Sequence, residues 1–338
     1  MKQKILGATG VSVSEYALGA MMFGAMGNPD HADAARIINR AIDAGITIID
    51  TADVYSLGES EQIVGQALTG RRDEVILATK FGLPMGGDDA NRRGGSRRWI
   101  MRAVEDSLRR LNTDYIDLYQ MHRADYATPV DETLAALSDL VRSGKVRAIG
   151  SSKFAAEAIV EAQWAAERGS QHRFLTEQPM YSIFTRSVER SVLPVTRRYG
   201  MGVLTFGPLN GGWLSGRPDV SAGHRALARP ASYDPGSATG QAKARALTEL
   251  GKLAADAGLP LRRLAIGFVL SHPAVTSVLI GPRTQDQLDT LLFDGDLALS
   301  GDVLDRIDEI VPPGTDLNPA DNYADTPPSL TDKRLRRY

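Results

Sequence analysis

The sequence predicts an α/β fold, a (β/α)8 TIM barrel with an N-terminal β-hairpin and long rim loops, on three observations. Short apolar runs alternate with longer segments of helical periodicity along the chain. After an initial hairpin, eight strand candidates end at Met21, Asp50, Lys80, His122, Ser151, Gln178, Phe206 and Gly281. The steps between these ends are 29, 30, 42, 29, 27, 28 and 75 residues, near-even apart from two insertions. Repeated βα units imply a parallel sheet, and eight of them in 338 residues suit one barrel. The rival doubly wound sheet, when it binds a dinucleotide, carries G-x-G-x-x-G after its first strand, and the chain has no such run.

Each element has its own local reason. Residues 4–6 and 11–13 flank the turn-rich GATG and read as a hairpin. Residues 16–21 form the first barrel strand. Helix 31–44 follows, with Ala34, Ile37, Ile38 and Ala41 at helical spacing and Gly45 as the stop. Strand 46–50 leads to helix 59–68, and strand 75–79 to helix 96–111, which opens on a serine cap. Strand 116–120 leads to helix 130–142, closed by Gly144. Strand 146–151 leads to helix 155–167, and strand 174–178 to helix 187–198, closed by Gly200. Strand 202–205 is followed by a Gly/Pro-rich passage and helices at 242–257 and 261–271. Strand 275–280 and helix 285–292 complete the set. Two stretches, FGLPMGGDDANRRGGSRR and GPLNGGWLSGRPDVSAGH, read as rim loops. The Pro/Asp-rich tail from Pro312 reads as an extended surface arm of a single domain covering residues 1–338.

Bulk properties narrow the function. A formal net charge of −2 argues against nucleic acid or an anionic membrane as a partner. The absence of cysteine rules out disulfides, thiolate catalysis and cysteine-ligated metals. The five histidines form no H-x-x-x-H pair, so no metal site is expected. No apolar run approaches the ~20 residues of a membrane helix, and the chain reads as soluble and cytoplasmic. No motif speaks to its oligomeric state.

The strand ends carry the chemistry. In a barrel, active-site groups sit where strands run into loops at the C-terminal face. Asp50, Lys80 and His122 end three successive strands, and strands lie about 4.8 Å apart, so their side chains gather at one mouth. Tyr55 follows on the loop after Asp50. A phenol titrates near ~10 in water, and a neighbouring ammonium favours the phenolate and lowers that value. Lys80 is placed to supply the ammonium, Asp50 to keep it charged and His122 to polarise an oxygen. Such a group protonates an oxygen on which negative charge develops, as carbonyl reduction requires, while the hydride must come from a cofactor. Taken singly, Asp50 reads as a turn acid, Tyr55 as a rim aromatic, Lys80 as a solvated cation and His122 as a packing residue. Trp99 and Trp213 either line a pocket or pack, with Trp213 the better rim candidate; Met21, Met22 and Phe23 suit an apolar wall or the core equally.

In LGATGVSVSEYALGAMMFG, GITIIDTADVYSLGESEQIVGQAL, VILATKFG, TDYIDLYQMHRAD, GKVRAIGSSKF, EQPMYS, FGPLNGGWLSG and LIGPRTQDQL, in that order, the chain resembles the aldo-keto reductases over nearly its whole length. The resemblance implies a (β/α)8 barrel, a catalytic set of Asp50, Tyr55, Lys80 and His122 with Tyr55 as proton donor, NADP(H) as cofactor and a small-molecule carbonyl as substrate. It places Ser152 and Gln178 at the nicotinamide carboxamide and Phe206 against the nicotinamide ring. Gly207, Leu209 and Gly211 fall at the pyrophosphate, and Arg283 and Gln287 at the adenosine phosphate. Ala20, Met21, Ser151 and Gly281, at strand ends, belong to the same cofactor set. Lys153 stands where the family usually has Asn beside the carboxamide, and Leu291 where an Asn often reads adenine. Three other readings stay open: an NADPH-binding redox sensor or regulatory subunit with negligible turnover, a Schiff-base aldolase using Lys80, and a scaffold without nucleotide.

Overall fold

The computed structural model describes residues 1–87, 89–217, 226, 230–293, 295, 297–323 and 327–337. Residues 218–224 of the second expected rim loop and residues 324–326 and 338 of the tail lie outside the described residues. The strands are β1 (Gln3–Ile5), β2 (Ser12–Ser14), β3 (Tyr16–Gly19), β4 (Ile48–Asp50), β5 (Ile76–Phe81), β6 (Ile116–Met121), β7 (Val146–Ser152), β8 (Thr176–Gln178), β9 (Gly202–Phe206) and β10 (Ser277–Ile280). β1 and β2 pair antiparallel. β3 to β10 close into a parallel barrel in chain order, with β10 returning to β3. This is the (β/α)8 barrel with an N-terminal hairpin that the βα repeat predicts.

The helices delimited among the described residues include α1 (His31–Asp43), α2 (Glu59–Ala67), α3 (Arg97–Leu111), α4 (Val130–Arg142), α5 (Ala156–Arg168), α6 (Val192–Arg198), α7 (Ala238–Asp256), α8 (Leu261–Ser271), α9 (Gln285–Leu291), α10 (Gly301–Ile310) and α11 (Pro328–Thr331). Those around the barrel bury one stripe against it. On α1 the buried positions are Ala34, Ile37, Ile38, Ala41 and Ile42, and the Asp30 side chain caps the start by accepting from Asp33 N. Ser96 caps α3 in the same way, accepting from Trp99 N, and Asn112 ends it in the left-handed region.

Two apolar clusters result. The larger lies between barrel and helices. The smaller lies inside the barrel and joins Ala17, Ile48, Ala78, Leu118, Leu204 and Leu279 to Leu6 and Val13 of the hairpin. The hairpin thus plugs the N-terminal end of the barrel. Lys4 Nζ donates to Val275 O at 2.9 Å across the same end. Gly7 makes the fit possible: its φ is +53°, and a Cβ there would lie 2.3 Å from Gly202 N. With that end sealed, the open mouth is the C-terminal one.

Three differences from the sequence reading have local causes. The expected helix 187–198 is broken into a 3-10 turn, Ser187–Arg190, and α6, with Ser191 non-helical at φ −146° between them. Pro194 lacks an N–H and crowds the carbonyl four residues back, so an unbroken helix through it is disfavoured. α10 was not anticipated, although Val303, Leu304, Ile307 and Ile310 stand at helical spacing and Ser300 caps it by accepting from Val303 N. Trp213, expected at the rim, is 4% exposed. It stacks on Tyr233 at 5.7 Å between centroids, with Lys243 Nζ 5.2 Å from its ring. Lys243 pairs with Asp321 of the tail. The chain after Pro312 also runs along residues 184–187: Asp316 Oδ1 accepts from Arg186 N and Ser187 N, both at 2.8 Å, and Leu317 N donates to Phe184 O at 3.0 Å.

Gly7→Ala should destabilise the fold by about 2 kcal/mol or more, since it adds left-handed strain to a backbone clash. Urea unfolding measures this, and an unchanged midpoint would show that the hairpin does not seat as described.

Candidate active site

The register of the strands brings four polar side chains to the inner face of the barrel. Lys80 pairs with Gln120 across β5 and β6, Gln120 with Gly150 on β7, and Ser152 with Gln178 across β7 and β8. Alternation along each strand then turns Asp50, Lys80, Gln120 and Gln178 inward. Lys80 Nζ, wholly buried, donates to Asp50 Oδ1, to Thr51 O at 2.8 Å and to Tyr55 Oη at 3.4 Å. The second carboxylate oxygen of Asp50 accepts from Gln120 Nε2 at 3.0 Å and Gln178 Nε2 at 2.9 Å. Burial alone would lower the Lys80 pKa; attraction from Asp50 and Tyr55 outweighs it and holds the ammonium above its ordinary value.

Tyr55 and His122 complete the mouth. The Tyr55 ring stands edge-on to His122, with centroids 5.7 Å apart, and Lys80 Nζ is 5.1 Å from the Tyr55 ring centre. Tyr55 is held by its loop. Its N–H donates to Ala52 O at 3.1 Å, and the next two residues, Ser56 and Leu57, take left-handed φ values of 48° and 55°. Such conformations cost non-glycine residues about 1–3 kcal/mol each and persist only where surroundings over-determine them. Here Ser56 Oγ accepts from Met26 N at 3.1 Å, and Glu59 Oε2 accepts from Ala25 N at 2.8 Å, which ties the loop after β4 to the loop after β3. His122 follows β6 directly, its N–H donating to Phe81 O at 2.8 Å. Burial first, then the positive charges of Lys153, Lys80 and Arg123, push its imidazole well below the usual histidine range.

The residues expected at the cofactor divide by geometry. Ser152 and Gln178 lie together, with Ser152 Oγ donating to Gln178 O at 2.9 Å. Gln178 Nε2 also faces Gln120 Oε1 at 3.3 Å, so its N–H groups are engaged and its own carbonyl is what it can offer. Ser151, one residue from Ser152, points to the other side of the wall, where its hydroxyl donates to Glu177 Oε2. Phe206 is half-buried at the end of β9, with Tyr323 of the tail against it at 5.9 Å. Gly207 follows at φ +70°, where a Cβ would meet Met180 Sδ at 2.4 Å. Leu209 and Gly211 continue that loop, and Gly211 O accepts from Tyr233 Oη at 2.6 Å. Ala20 is buried and Met21 half-exposed past β3, while Gly281 is exposed past β10. Arg283 is half-exposed; its backbone N–H donates to Gln287 Oε1 at 2.9 Å, and its carbonyl accepts from Asn28 Nδ2 at 2.9 Å. Lys153 takes φ +57°, a conformation that asparagine tolerates better than lysine. Leu291 is 7% exposed and belongs to the core.

Sequence reasoning passed over Gln120 and Glu177. Gln120 had a signal: it is a polar residue two before His122 in an apolar strand, hence on the same face. Glu177 had none, because a lone acid in a short strand does not say which side of the wall it takes.

Comparison with known proteins agrees with this architecture. A family model described as "Aldo/keto reductase family" matches residues 16–312. The uncharacterized oxidoreductase YrpG of Bacillus subtilis (strain 168) is 39% identical, over 92% of this chain and 96% of its own length. The aldo-keto reductase YhdN of the same organism is 35% identical, over 86% of this chain and 88% of its own. A probable voltage-gated potassium channel subunit beta of Oryza sativa subsp. japonica is 33% identical, over 92% and 97%. The chain belongs to the aldo/keto reductase family. It is therefore an oxidoreductase of the carbonyl-reducing kind that works with a nicotinamide cofactor and a small-molecule carbonyl. Among the described residues, no helix is long and apolar enough to cross a membrane.

Lys80→Met should destabilise the protein by about 3–5 kcal/mol, because it leaves Asp50 buried without its cation. The double variant Asp50→Asn/Lys80→Met should recover part of that loss. Equal unfolding midpoints in the single and double variants would mean that the pair is not coupled. His122 gives a second expectation. The unfolded chain takes up a proton at this imidazole near 6.5 and the fold resists it, so its contribution to stability falls as pH drops below about 6.5. Subtracting the stability–pH curve of His122→Asn from that of wild type should isolate this acid-side loss; a flat difference would contradict it.

Proposed function

We propose that the protein is an NADP(H)-dependent oxidoreductase that reduces aldehyde or ketone carbonyls to alcohols, reversibly, with Tyr55 as proton donor. The observation that carries this reading is the buried ammonium of Lys80, shared between Asp50 and the Tyr55 hydroxyl. As the carbonyl oxygen gains negative charge, Tyr55 gives it the phenol proton, and the adjacent ammonium stabilises the phenolate left behind. Asp50 keeps Lys80 protonated, and the two glutamine amides hold the carboxylate in place. His122, kept neutral by burial, has an N–H to polarise the same oxygen. A lysine held as ammonium has no lone pair for Schiff-base chemistry, which counts against the aldolase reading.

The residues around the mouth fit a dinucleotide. Bound NADPH would supply the hydride. The Gln178 carbonyl and Ser152 hydroxyl would hold its carboxamide, with Lys153 as a further donor. Phe206 offers a half-buried ring for stacking. The backbone at Gly207, Leu209 and Gly211 would follow the pyrophosphate, and the Arg283 guanidinium would take the 2′-phosphate through its planar fork, with Gln287 bracing its loop. A redox-sensing subunit that binds NADPH with negligible turnover is the second reading, and the likeness to a probable potassium channel subunit beta favours it.

Tyr55→Phe should retain NADPH binding and lose carbonyl turnover by about 10²–10⁴-fold, measured at the NADPH absorbance with a panel of aldehydes and ketones. Wild-type turnover in the variant would sink the assignment; binding without turnover in the wild type would leave the sensor. Arg283→Ala should weaken NADPH by about 10-fold or more and NADH far less. Equal weakening of both would remove Arg283 from the phosphate site.

A further inference from the structure

Glu177 lies behind the wall of the candidate site, in β8 between Thr176 and Gln178, and its side chain is wholly buried. Its two oxygens gather the end of β7. Oε2 accepts the hydroxyl of Ser151, and Oε1 accepts Phe154 N–H at 3.1 Å. Lys153 N–H, which donates to Gln178 O at 3.2 Å, faces the same carboxyl. The segment so held includes Ser152, whose hydroxyl meets Gln178 O, and Lys153, whose charge acts on His122. One carboxyl therefore fixes the backbone from which the carboxamide-facing side chains project. The groups that face it are Ser151 and Lys153 from the β7 end, while its register partner on β9 is the apolar Val203.

We infer that Glu177 is a positioning residue, whose buried carboxyl holds residues 151–154 in the geometry that receives the nicotinamide carboxamide, and whose ionisation slackens that hold. This rests on the proposed cofactor reading. The physical cause is a buried charge. The acid form stays satisfied, because its O–H donates to Ser151 Oγ, that hydroxyl turns to Thr176 O, 3.3 Å away, and Oε1 still accepts Phe154 N–H. The carboxylate accepts from Ser151, Phe154 and Lys153 but keeps its charge out of water, which opening of the segment relieves. Burial works against the ionised form and raises the carboxyl to about 7, despite the hydrogen bonds and Lys153. The exchange between the two forms thus falls within the physiological range.

The test uses the full chain with two readouts. The first is amide hydrogen exchange over residues 151–155, corrected for intrinsic rates, from about pH 5.5 to 8.5. Wild type should lose protection as pH rises through about 7, and Glu177→Gln, which keeps an acceptor for Phe154 N–H but cannot ionise, should show no such step. Ser151→Ala, which removes a donor to the carboxylate, should move the step to higher pH. The second is NADPH titration: wild type should bind about 3–10-fold more weakly above the step than below it, the size of one lost hydrogen bond. Comparison with Glu177→Gln cancels the titration of the 2′-phosphate itself. A protection step unchanged in Glu177→Gln, or absent from wild type, overturns the inference. Exchange that behaves as expected while NADPH fails to bind at any pH would overturn the cofactor reading and leave Glu177 as the holder of this segment.

Discussion

The pairing of Lys80 with Asp50 inside the barrel is the constraint around which the mouth is organised. Two charges removed from water cost several kcal/mol each, and their attraction offsets that only if the remaining hydrogen-bonding capacity is met. The barrel meets it from four places: Thr51 O and Tyr55 Oη at the ammonium, Gln120 and Gln178 at the carboxylate. Thr51 and Tyr55 come from the loop after β4, Gln120 from β6 and Gln178 from β8. Barrel closure and charge neutralisation are thus coupled, since a slip of one residue in any of β5, β6 or β8 would turn a partner out of the wall.

Around this pair the rim is cross-tied, not loose. Asn28 joins the loop after β3 to Asp33 and to the carbonyl of Arg283 after β10. Ser56 and Glu59 join the loop after β4 to the same β3 loop. Asp125, on the loop after β6, accepts Gly95 N–H at 2.8 Å and so pins the loop after β5. The left-handed turn that presents Tyr55 is held by these ties. The tail contributes through Asp321 on Lys243 and Tyr323 against Phe206, so both sides of the β9 loop are backed by chain distant in sequence. Rigid support of this kind is what the proposed proton transfer from Tyr55 needs, because a donor displaced by about 1 Å loses most of its advantage.

Two buried titratable groups respond to acid in opposite directions. His122 is destabilised by protonation, whereas Glu177 favours its proton in the folded state. As pH falls through about 7 Glu177 strengthens the fold, and below about 6.5 His122 weakens it. They lie on either side of the β7–β8 wall, one facing the mouth and one behind it, and Lys153 acts on both.

The barrel was legible because its cause is local and repeated. Apolar runs of strand length, helical periodicity and glycine stops recur at near-even steps, and that pattern admits few topologies. The positions of Asp50, Lys80 and His122 at strand ends, with Tyr55 five residues beyond Asp50, were legible for the same reason: a strand end is a place in the fold that the chain announces. Other features depended on which side a residue takes or on what arrives from far along the chain. Trp213 looked like a rim residue until Tyr233 and Lys243 covered it. Ser151 and Ser152 are neighbours of the same type, and the pleat alone sends one to Gln178 and the other to Glu177. What the sequence by itself determined was the order of elements and the inventory of chemical groups at their ends. The tertiary structure alone decided which groups face one another, because side-chain partnership depends on register and on contacts between segments far apart in the chain.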